Sequence, residues 1–181
     1  LERIGKEAVV TDDQELIRKA DKVIFPGVGE ASTAMNYLKE RKMDQLIKEL
    51  KQPVLGICLG MQLMCKYSEE NDTQCLGIFD ETVKHFKPEI RNGQPALKVP
   101  QIGWNNIYEL NTGLFEGLPE NSYCYFVHGY YAALGPHTIA KADYVAPYSA
   151  GLHKENFYGV QFHPEKSAGA GEQILKNFLS L

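Results

Sequence analysis

The sequence lacks several features that would assign it to other classes of protein. No apolar run approaches the roughly twenty residues that a membrane-spanning helix needs, and no Lys- and Arg-rich run indicates a nucleic-acid-binding face. The formal net charge is −4, which also argues against a nucleic-acid binder. The four cysteines form neither a Cys-x-x-Cys pair nor a zinc-type spacing. We therefore expect a cytoplasmic protein with reduced thiols, without disulfides or a metal site.

The length and composition are those of an ordinary folded domain. The chain has 181 residues, of which 44% are hydrophobic and 23% charged. A chain of this length buries enough apolar surface to fold without cross-links. We expect one domain spanning residues 1–181.

One cysteine lies between two glycines after a short apolar run. The run Val54–Ile57 predicts a buried strand, and a helical pattern starts after it. Gly56-x-Cys58-x-Gly60 is the cysteine form of the nucleophile elbow, a tight strand-to-helix turn that displays its central side chain. The first turn of a helix also favours the reactive thiolate. The pattern alone is equally compatible with a buried structural cysteine.

Strand and helix patterns alternate in the first part of the chain. Leu1–Gly5 is typical of a last helical turn ending at glycine. The predicted strands are Glu7–Val10, Val23–Phe25 and Val54–Ile57. The predicted helices are one from a Thr11-x-x-Gln14 capping box to Ala20 with Leu16 and Ile17 inward, one with Met35 and Leu38 inward, and Asp44–Leu50. Apolar strands between helices indicate a mostly parallel α/β sheet covered on both faces.

The second part of the chain has a different pattern. Short β-type runs at Gly77–Phe86, Val99–Leu110 and Tyr123–Tyr131 are separated by turn residues, which indicates antiparallel strands added to the parallel core. The run Phe157–Phe162 predicts a further strand, and an amphipathic helix closes the chain.

Two further stretches could complete a site around Cys58. Gly27-Val28-Gly29 follows a strand, and its backbone N–H groups can approach a ligand, although an ordinary turn is the simpler interpretation. His163 and Glu165 follow the last strand, and period-two spacing predicts one shared face. A histidine oriented by a carboxylate can take a thiol proton, although a surface or capping histidine is the simpler interpretation of His163 taken alone. A metal site there would lack a third ligand.

The motifs Gly56-Ile57-Cys58-Leu59-Gly60-Met61-Gln62 and Gln161-Phe162-His163-Pro164-Glu165 together resemble the class I (triad) glutamine amidotransferases, which have a flavodoxin-like α/β fold. Within that family, Pro26-Gly27-Val28-Gly29, Gly103-Trp104-Asn105 and Tyr125-Phe126-Val127-His128-Gly129-Tyr130 are similar to the glutaminase subunits of imidazole glycerol phosphate synthase. Val28 counts against relatives such as the anthranilate synthase amidotransferase, which usually carry Pro-Gly-Pro-Gly there.

The resemblance implies roles for named residues. It implies a catalytic triad of Cys58, His163 and Glu165 and an oxyanion site formed by Val28, Gly29 and Leu59. It implies a glutamine-binding site formed by Gly27, Gln62, Glu70, Gly129 and Tyr130. It also implies a partner-facing surface that includes Trp104 and Lys166. It implies no cofactor. The implied partner is a (β/α)₈-barrel cyclase that receives ammonia and makes imidazole glycerol phosphate and an aminoimidazole carboxamide ribotide.

The chain departs from the family pattern in two places. The family begins with a β-strand upstream of the position of Leu1, so we expect the first strand to be missing. Glu30-Ala31-Ser32 stands where the family often has a small residue, an aromatic and a glycine, which predicts a difference in the flexibility of the preceding loop.

Three other functions remain compatible with the sequence. The chain could be the amidotransferase subunit of another synthase, or a free-standing γ-glutamyl cysteine hydrolase that needs no partner. It could also be a non-catalytic scaffold subunit, in which case Cys58 would be dispensable.

Overall fold

The structure is a computed structural model that describes residues 1–88 and 96–181. In this part of the chain the α-helices are α1 Gln14–Lys19, α2 Ala31–Glu40, α3 Met43–Glu49, α4 Leu59–Met64 and α5 Ala168–Ser180. The strands are β1 Val23–Gly27, β2 Val54–Cys58, β3 Tyr67–Ser68, β4 Thr73–Gln74, β5 Thr82–His85, β6 Gln101–Ile107, β7 Ser122–His128, β8 Tyr130–Ala132, β9 Thr138–Asp143, β10 Pro147–Lys154 and β11 Phe157–Val160. Short 3₁₀ helices lie at Glu2–Ile4, Gly113–Phe115 and Pro164–Lys166.

The central sheet has five strands in the order β1-β2-β11-β10-β9. Strands β1, β2 and β11 are parallel, whereas β10 and β9 extend the sheet by antiparallel pairing. The predicted mostly parallel core is therefore confirmed, but the antiparallel strands that extend it, β10 and β9, lie outside the β-type runs predicted from the sequence. Parallel pairing brings the carboxyl ends of β1 and β2 together, because Gly27 is the register partner of Cys58.

Two hydrophobic clusters cover the two faces of this sheet. Since successive side chains of a strand point to opposite faces, Val54 and Leu55 enter different clusters. The first cluster packs helices α2, α3 and α4 against the sheet, with Met35 and Leu46 fully or almost fully buried. The second packs α5 and β7 against the sheet, with Phe178 fully buried. Helices therefore lie on both faces, as predicted.

The remaining strands form two smaller units. Strands β6 and β7 pair as an antiparallel ribbon over seven residue pairs, and β4-β3-β5-β8 form a small sheet. The β-type runs predicted at Val99–Leu110 and Tyr123–Tyr131 therefore contain real strands. The run Gly77–Phe86 is a strand only at β5, because Phe79 turns inward as a buried core residue before the strand begins.

Several local predictions need correction near the beginning of the chain. Residues Glu7–Val10 do not form a strand, since they pair with no other strand of the described chain, and Val10 is fully exposed. Helix α1 is capped by Asp13, whose carboxylate accepts the N–H groups of Glu15 and Leu16. The predicted capping box was therefore placed two residues too early. Leu16, expected to face inward, is 52% exposed.

Candidate active site

Cys58 lies at a sharp turn between β2 and α4. Its backbone has φ 54° and ψ −112°, a conformation that side-chain-bearing residues rarely adopt. A Cβ atom on Gly60 would overlap the carbonyl oxygen of Phe25, and one on Gly27 would lie 2.7 Å from the Gly60 nitrogen. The start of α4 therefore rests directly on the end of β1, and only glycine permits that approach. This is the strand–turn–helix geometry that the sequence predicted.

The sulfur of Cys58 is almost buried but reaches a cleft. The residue is 8% exposed, and its Sγ lies 3.7 Å from both the carbonyl oxygen of Val127 and Nε2 of Gln161. The Val127 carbonyl accepts the thiol proton of Cys58, whereas the amide N–H of Gln161 donates to the sulfur. The side chain is thus held between an acceptor and a donor.

His163 stands beside Cys58 and is oriented from behind by Glu165. The Nδ1–H of His163 donates to Oε1 of Glu165 across 2.8 Å, which leaves Nε2 as the other ring nitrogen. The backbone of His163 is fixed on both sides, since its N–H donates to the Tyr125 carbonyl at 2.9 Å and its carbonyl accepts from the Ser167 hydroxyl at 2.6 Å.

The pairing of His163 with Glu165 is present, but strand periodicity was the wrong reason to expect it. The predicted strand Phe157–Phe162 ends at Val160, and Glu165 lies in the 3₁₀ helix Pro164–Lys166. One tight turn, rather than an extended strand, therefore brings the carboxylate back to the ring.

The environment shifts the pKa of both members of this pair. The hydrogen bond with Cys58, then the one with Glu165, raises the pKa of His163 to about 9, against the opposing effect of burial. Burial alone would raise the pKa of Glu165, but the hydrogen bond from His163 leads the contributions that lower it overall. The pair therefore favours a protonated imidazole next to sulfur, the arrangement that stabilises a thiolate.

These side chains open into a cleft of about 360 Å³. Its lining includes nearly all the residues to which the resemblance gave a role: Gly27, Val28, Gly29, Cys58, Leu59, Gln62, Glu70, Gly129, Tyr130, His163 and Lys166. Pro100, Val127 and His128 complete it. Glu165 stands behind His163, and Trp104 lies outside the cleft. The structure thus gathers residues from six separate segments at one place.

Gln62 and Glu70 are two further polar side chains of the cleft lining. Nε2 of Gln62 donates to the carbonyl of Tyr130 and to Oε1 of Gln161, each across 2.8 Å. The Glu70 carboxylate accepts the backbone N–H of Ala31 at 2.8 Å. Burial raises the pKa of Glu70, while the Ala31 N–H partly opposes that rise. A carboxylate and an amide therefore both line the cleft.

The sequence assigned no role to Gln161 or His128, which both border the site. Gln161 is fully buried and lies two residues before His163 in the quoted motif, so its proximity to the base was the available signal. His128 is 6% exposed, and its Nδ1–H donates to the Tyr130 carbonyl at 2.7 Å. Burial lowers the pKa of His128 to about 4, so its ring is neutral.

An aromatic surface lies beside the cleft, on the outer face of the β6–β7 ribbon. We call it the ribbon patch, formed by Ile102, Trp104, Tyr123 and Tyr125. Trp104 is 53% exposed and packs edge-on against Tyr125, with ring centroids 5.9 Å apart. The ammonium of Lys166 lies 5.9 Å from the centroid of the same tyrosine ring. The patch therefore adjoins a cation that lines the cleft mouth.

Two observations concern only residues 1–88 and 96–181. No group of three or more His, Cys, Asp or Glu side chains there is arranged to hold a metal ion. No helix in that part of the chain has the length and hydropathy needed to cross a bilayer.

Comparison with known proteins identifies the family. Residues 5–181 match the family model described as Glutamine amidotransferase class-I, and the chain belongs to that family. It is 59% identical, over 181 residues, to the imidazole glycerol phosphate synthase subunit HisH of Bacteroides fragilis, covering 100% of this chain and 90% of that protein. The subunit of the same name from Escherichia coli O157:H7 is 46% identical over 181 residues, covering 99% and 89%.

Solved structures share the fold. A crystal structure titled as a glutamine amidotransferase aligns with a TM-score of 0.71 and 19% identity, covering 99% of this chain and 88% of the other. The crystal structure of a glutamine amidotransferase from Thermotoga maritima aligns with a TM-score of 0.59 and 18% identity, covering 98% and 68%. The class I glutamine amidotransferase fold expected from the sequence is therefore confirmed.

Proposed function

We propose that this protein is the glutaminase subunit of an imidazole glycerol phosphate synthase in histidine biosynthesis, acting as a single domain in the cytoplasm. The observation that carries the proposal is that His163, oriented by Glu165, lies within hydrogen-bonding distance of Cys58 at one cleft. The 59% identity to a subunit of that name over the full chain supports the particular synthase.

The proposed reaction begins with the Cys58 thiolate, the thiol proton residing on His163. Sulfur attacks the side-chain carboxamide carbon of glutamine, forming a C–S bond and a tetrahedral intermediate. His163 gives its proton to the departing nitrogen as the C–N bond breaks, which releases ammonia and leaves a γ-glutamyl thioester. His163 then takes a proton from water, which attacks the thioester and releases glutamate. Glu165 holds the ring in position throughout.

The intermediate carries a negative oxygen that needs hydrogen-bond donors. The N–H of Leu59 lies at the start of α4, directly after the nucleophile, and is the first candidate donor. The second comes from the Val28–Gly29 segment, which lines the same cleft. Losing one such donor typically lowers kcat by about 10²–10³-fold.

We assign the amino-acid head of glutamine to the part of the cleft that Glu70 and Gln62 line. Glu70 supplies a carboxylate for the α-ammonium group, and Gln62 supplies an amide beside it. The backbone of Gly129 and Tyr130 closes that part, with Gly27 at the base of the loop opposite. Together these groups would place the carboxamide at Cys58.

Ammonia is useful to the synthase only if it is delivered before it escapes. We propose a (β/α)₈-barrel cyclase as the receiving partner, in a heterodimer that uses the ribbon patch and Lys166 as its contact surface. The cyclase then forms imidazole glycerol phosphate and the aminoimidazole carboxamide ribotide. We also propose that the Gly27–Gly29 loop reaches its active geometry only with the partner and its ligand bound.

Glutamate release from glutamine, measured with and without the cyclase, tests the proposal. We expect wild type to be active mainly in the complex, Cys58→Ala to be inactive, and the matched control Cys65→Ala to remain active, since Cys65 is buried away from the cleft. With ammonium salts supplied, the Cys58→Ala complex should still make imidazole glycerol phosphate. Glutaminase activity that persists in Cys58→Ala would refute the nucleophile, and equal wild-type rates without the cyclase would refute partner activation.

A further inference from the structure

Two buried side chains, those of Gln62 and Gln161, connect the carbonyl of Tyr130 to the sulfur of Cys58 through three hydrogen bonds. Gln62 donates to the Tyr130 carbonyl and to Oε1 of Gln161, and Gln161 donates to the sulfur. Gln62 is 5% exposed and Gln161 is fully buried. The side chain of Gln161 therefore has no access to solvent, so the orientation of its amide depends on these partners.

The carbonyl of Tyr130 determines the direction of all three hydrogen bonds in this series. A backbone carbonyl can only accept, so the amide nitrogen of Gln62 must face Tyr130. The second hydrogen of that nitrogen points to Gln161, whose oxygen must therefore accept. The nitrogen of Gln161 is left facing Cys58. The Tyr130 carbonyl, acting through the side chains of Gln62 and Gln161, thus ensures that an N–H donor faces the sulfur of Cys58.

A backbone hydrogen bond fixes the position of Gln161. Its N–H donates to the carbonyl of Ala150 at 2.9 Å, which ties the residue to β10 directly after β11 ends. Ala150 lies at a register shift in the pairing of β10 with β9. The side chain is consequently anchored from the central sheet rather than from a surface loop.

We propose that Gln161 is a positioning residue whose amide N–H, oriented through Gln62 by the Tyr130 carbonyl, stabilises the Cys58 thiolate. An N–H donor favours a negatively charged sulfur over a neutral thiol, because hydrogen bonds to an ionised acceptor are about twice as strong. His163 supplies the proton acceptor on one side, and Gln161 supplies a fixed dipole on another. This inference rests on the proposed function of Cys58 as the nucleophile.

Alkylation of Cys58 by iodoacetamide, followed by mass spectrometry of the peptide that contains it, measures the thiolate directly. The rate is recorded from acid to alkaline pH without glutamine. Gln161→Met keeps the length of the side chain but removes the donor. The charged and titratable groups that line the cleft, Glu70, His128, His163 and Lys166, and also Glu165 behind His163, remain unchanged in this variant.

We expect Gln161→Met to move the midpoint of the alkylation profile upward by about one pH unit, the size of effect that one hydrogen bond to a charged group produces. Gln101→Met is the matched control, because Gln101 is a similarly buried glutamine that accepts from Tyr148 and makes no hydrogen bond to Cys58. It should lower thermal stability without moving the midpoint.

An unchanged midpoint in a folded Gln161→Met variant would overturn the proposal and leave Gln161 as a packing residue. If that variant shows no cooperative unfolding transition, Gln161→Asn provides the same test, since it keeps a buried amide but withdraws it from sulfur. A failure of the proposed function would look different, because wild type would then release no glutamate from glutamine in the cyclase complex, whatever the alkylation profile.

Discussion

The side-chain amide of Asn71 donates a 2.6 Å hydrogen bond to the carboxylate of Glu30. Glu30 also caps α2 by accepting the N–H groups of Ser32 and Thr33. The neighbouring Glu70 holds the N–H of Ala31. The turn that carries Glu70 is therefore tied at two points to the residues that directly follow the glycine loop.

This tie should matter for catalysis in the cyclase complex. In Asn71→Gly the amide is lost while the positive φ of 50° at that position remains easy to adopt. We expect kcat for glutamine hydrolysis to fall about tenfold, because a loosened loop places its oxyanion donor less accurately. The KM for glutamine should change little.

An exchanged pair provides the control for this prediction. Asn71→Asp should be worse than Asn71→Gly, since it places a second carboxylate against Glu30. Adding Glu30→Gln to Asn71→Asp should recover only part of the rate, because the Glu30 oxygen that accepts from Asn71 also accepts the N–H of Ser32, and an NH₂ group there would lose that cap. No recovery, together with a normal rate in Asn71→Gly, would show that the tie only stabilises the fold.

His163 should make the protein less stable as the solution becomes alkaline. Its pKa is about 9 in the folded protein and near 6.5 when unfolded. The folded state holds the proton more tightly, so the stabilisation is complete below pH 6.5 and is lost as pH rises to about 9. The difference in free energy of unfolding between wild type and His163→Gln should shrink across that window. A difference independent of pH would contradict the shift.

His128 should act in the opposite direction at acid pH. Burial holds its folded pKa near 4, so the unfolded chain binds the proton first as pH falls from about 6.5. Wild type should lose about 3 kcal/mol of stability between pH 6.5 and pH 4 through this residue. His128→Asn, which keeps an N–H donor for the Tyr130 carbonyl, should lack that part of the acid dependence. Equal acid dependence in urea titrations of both proteins would refute it.

The ribbon patch should determine affinity for the cyclase. Trp104→Ala removes its largest exposed ring, and large aromatic side chains at the centre of an interface commonly contribute about 2 kcal/mol or more, roughly a thirtyfold change in Kd. Tyr37→Ala is the matched control, since Tyr37 is an exposed aromatic on α2 beside Arg41. Isothermal titration calorimetry should show weaker binding only for Trp104→Ala. Equal affinities for both variants would exclude the patch from the interface.

Local motifs made much of the site predictable from the sequence. The elbow at Cys58 depends on two glycines and a preceding apolar run, all within a few residues, so its geometry could be inferred directly. His163 and Glu165 meet within one short turn. Their convergence with Cys58 followed from the rule that parallel strands carry ligands at their carboxyl ends.

The features that escaped prediction depend on distant partners. The orientation of the Gln161 amide depends on Gln62, which lies 99 residues away, and no local sequence pattern predicts the contact between them. Residues Glu7–Val10 have a strand-forming composition, but a strand needs a neighbour for its hydrogen bonds. The antiparallel extension by β9 and β10 likewise depends on register, which turn residues alone did not reveal.

The close approach of Gly60 to Phe25 separates a fixed part of the site, around Cys58, from the loop residues Val28 and Gly29. Because α4 rests on β1 without space for a single methyl group, Cys58, Leu59 and Gly27 form one rigid block. Val28, which is 85% exposed, and Gly29 lie between this block and the start of α2, where Glu30 is held by Asn71. Substitutions at Val28 and Gly29 can therefore test the proposed activation by the partner without altering the packing that holds the nucleophile.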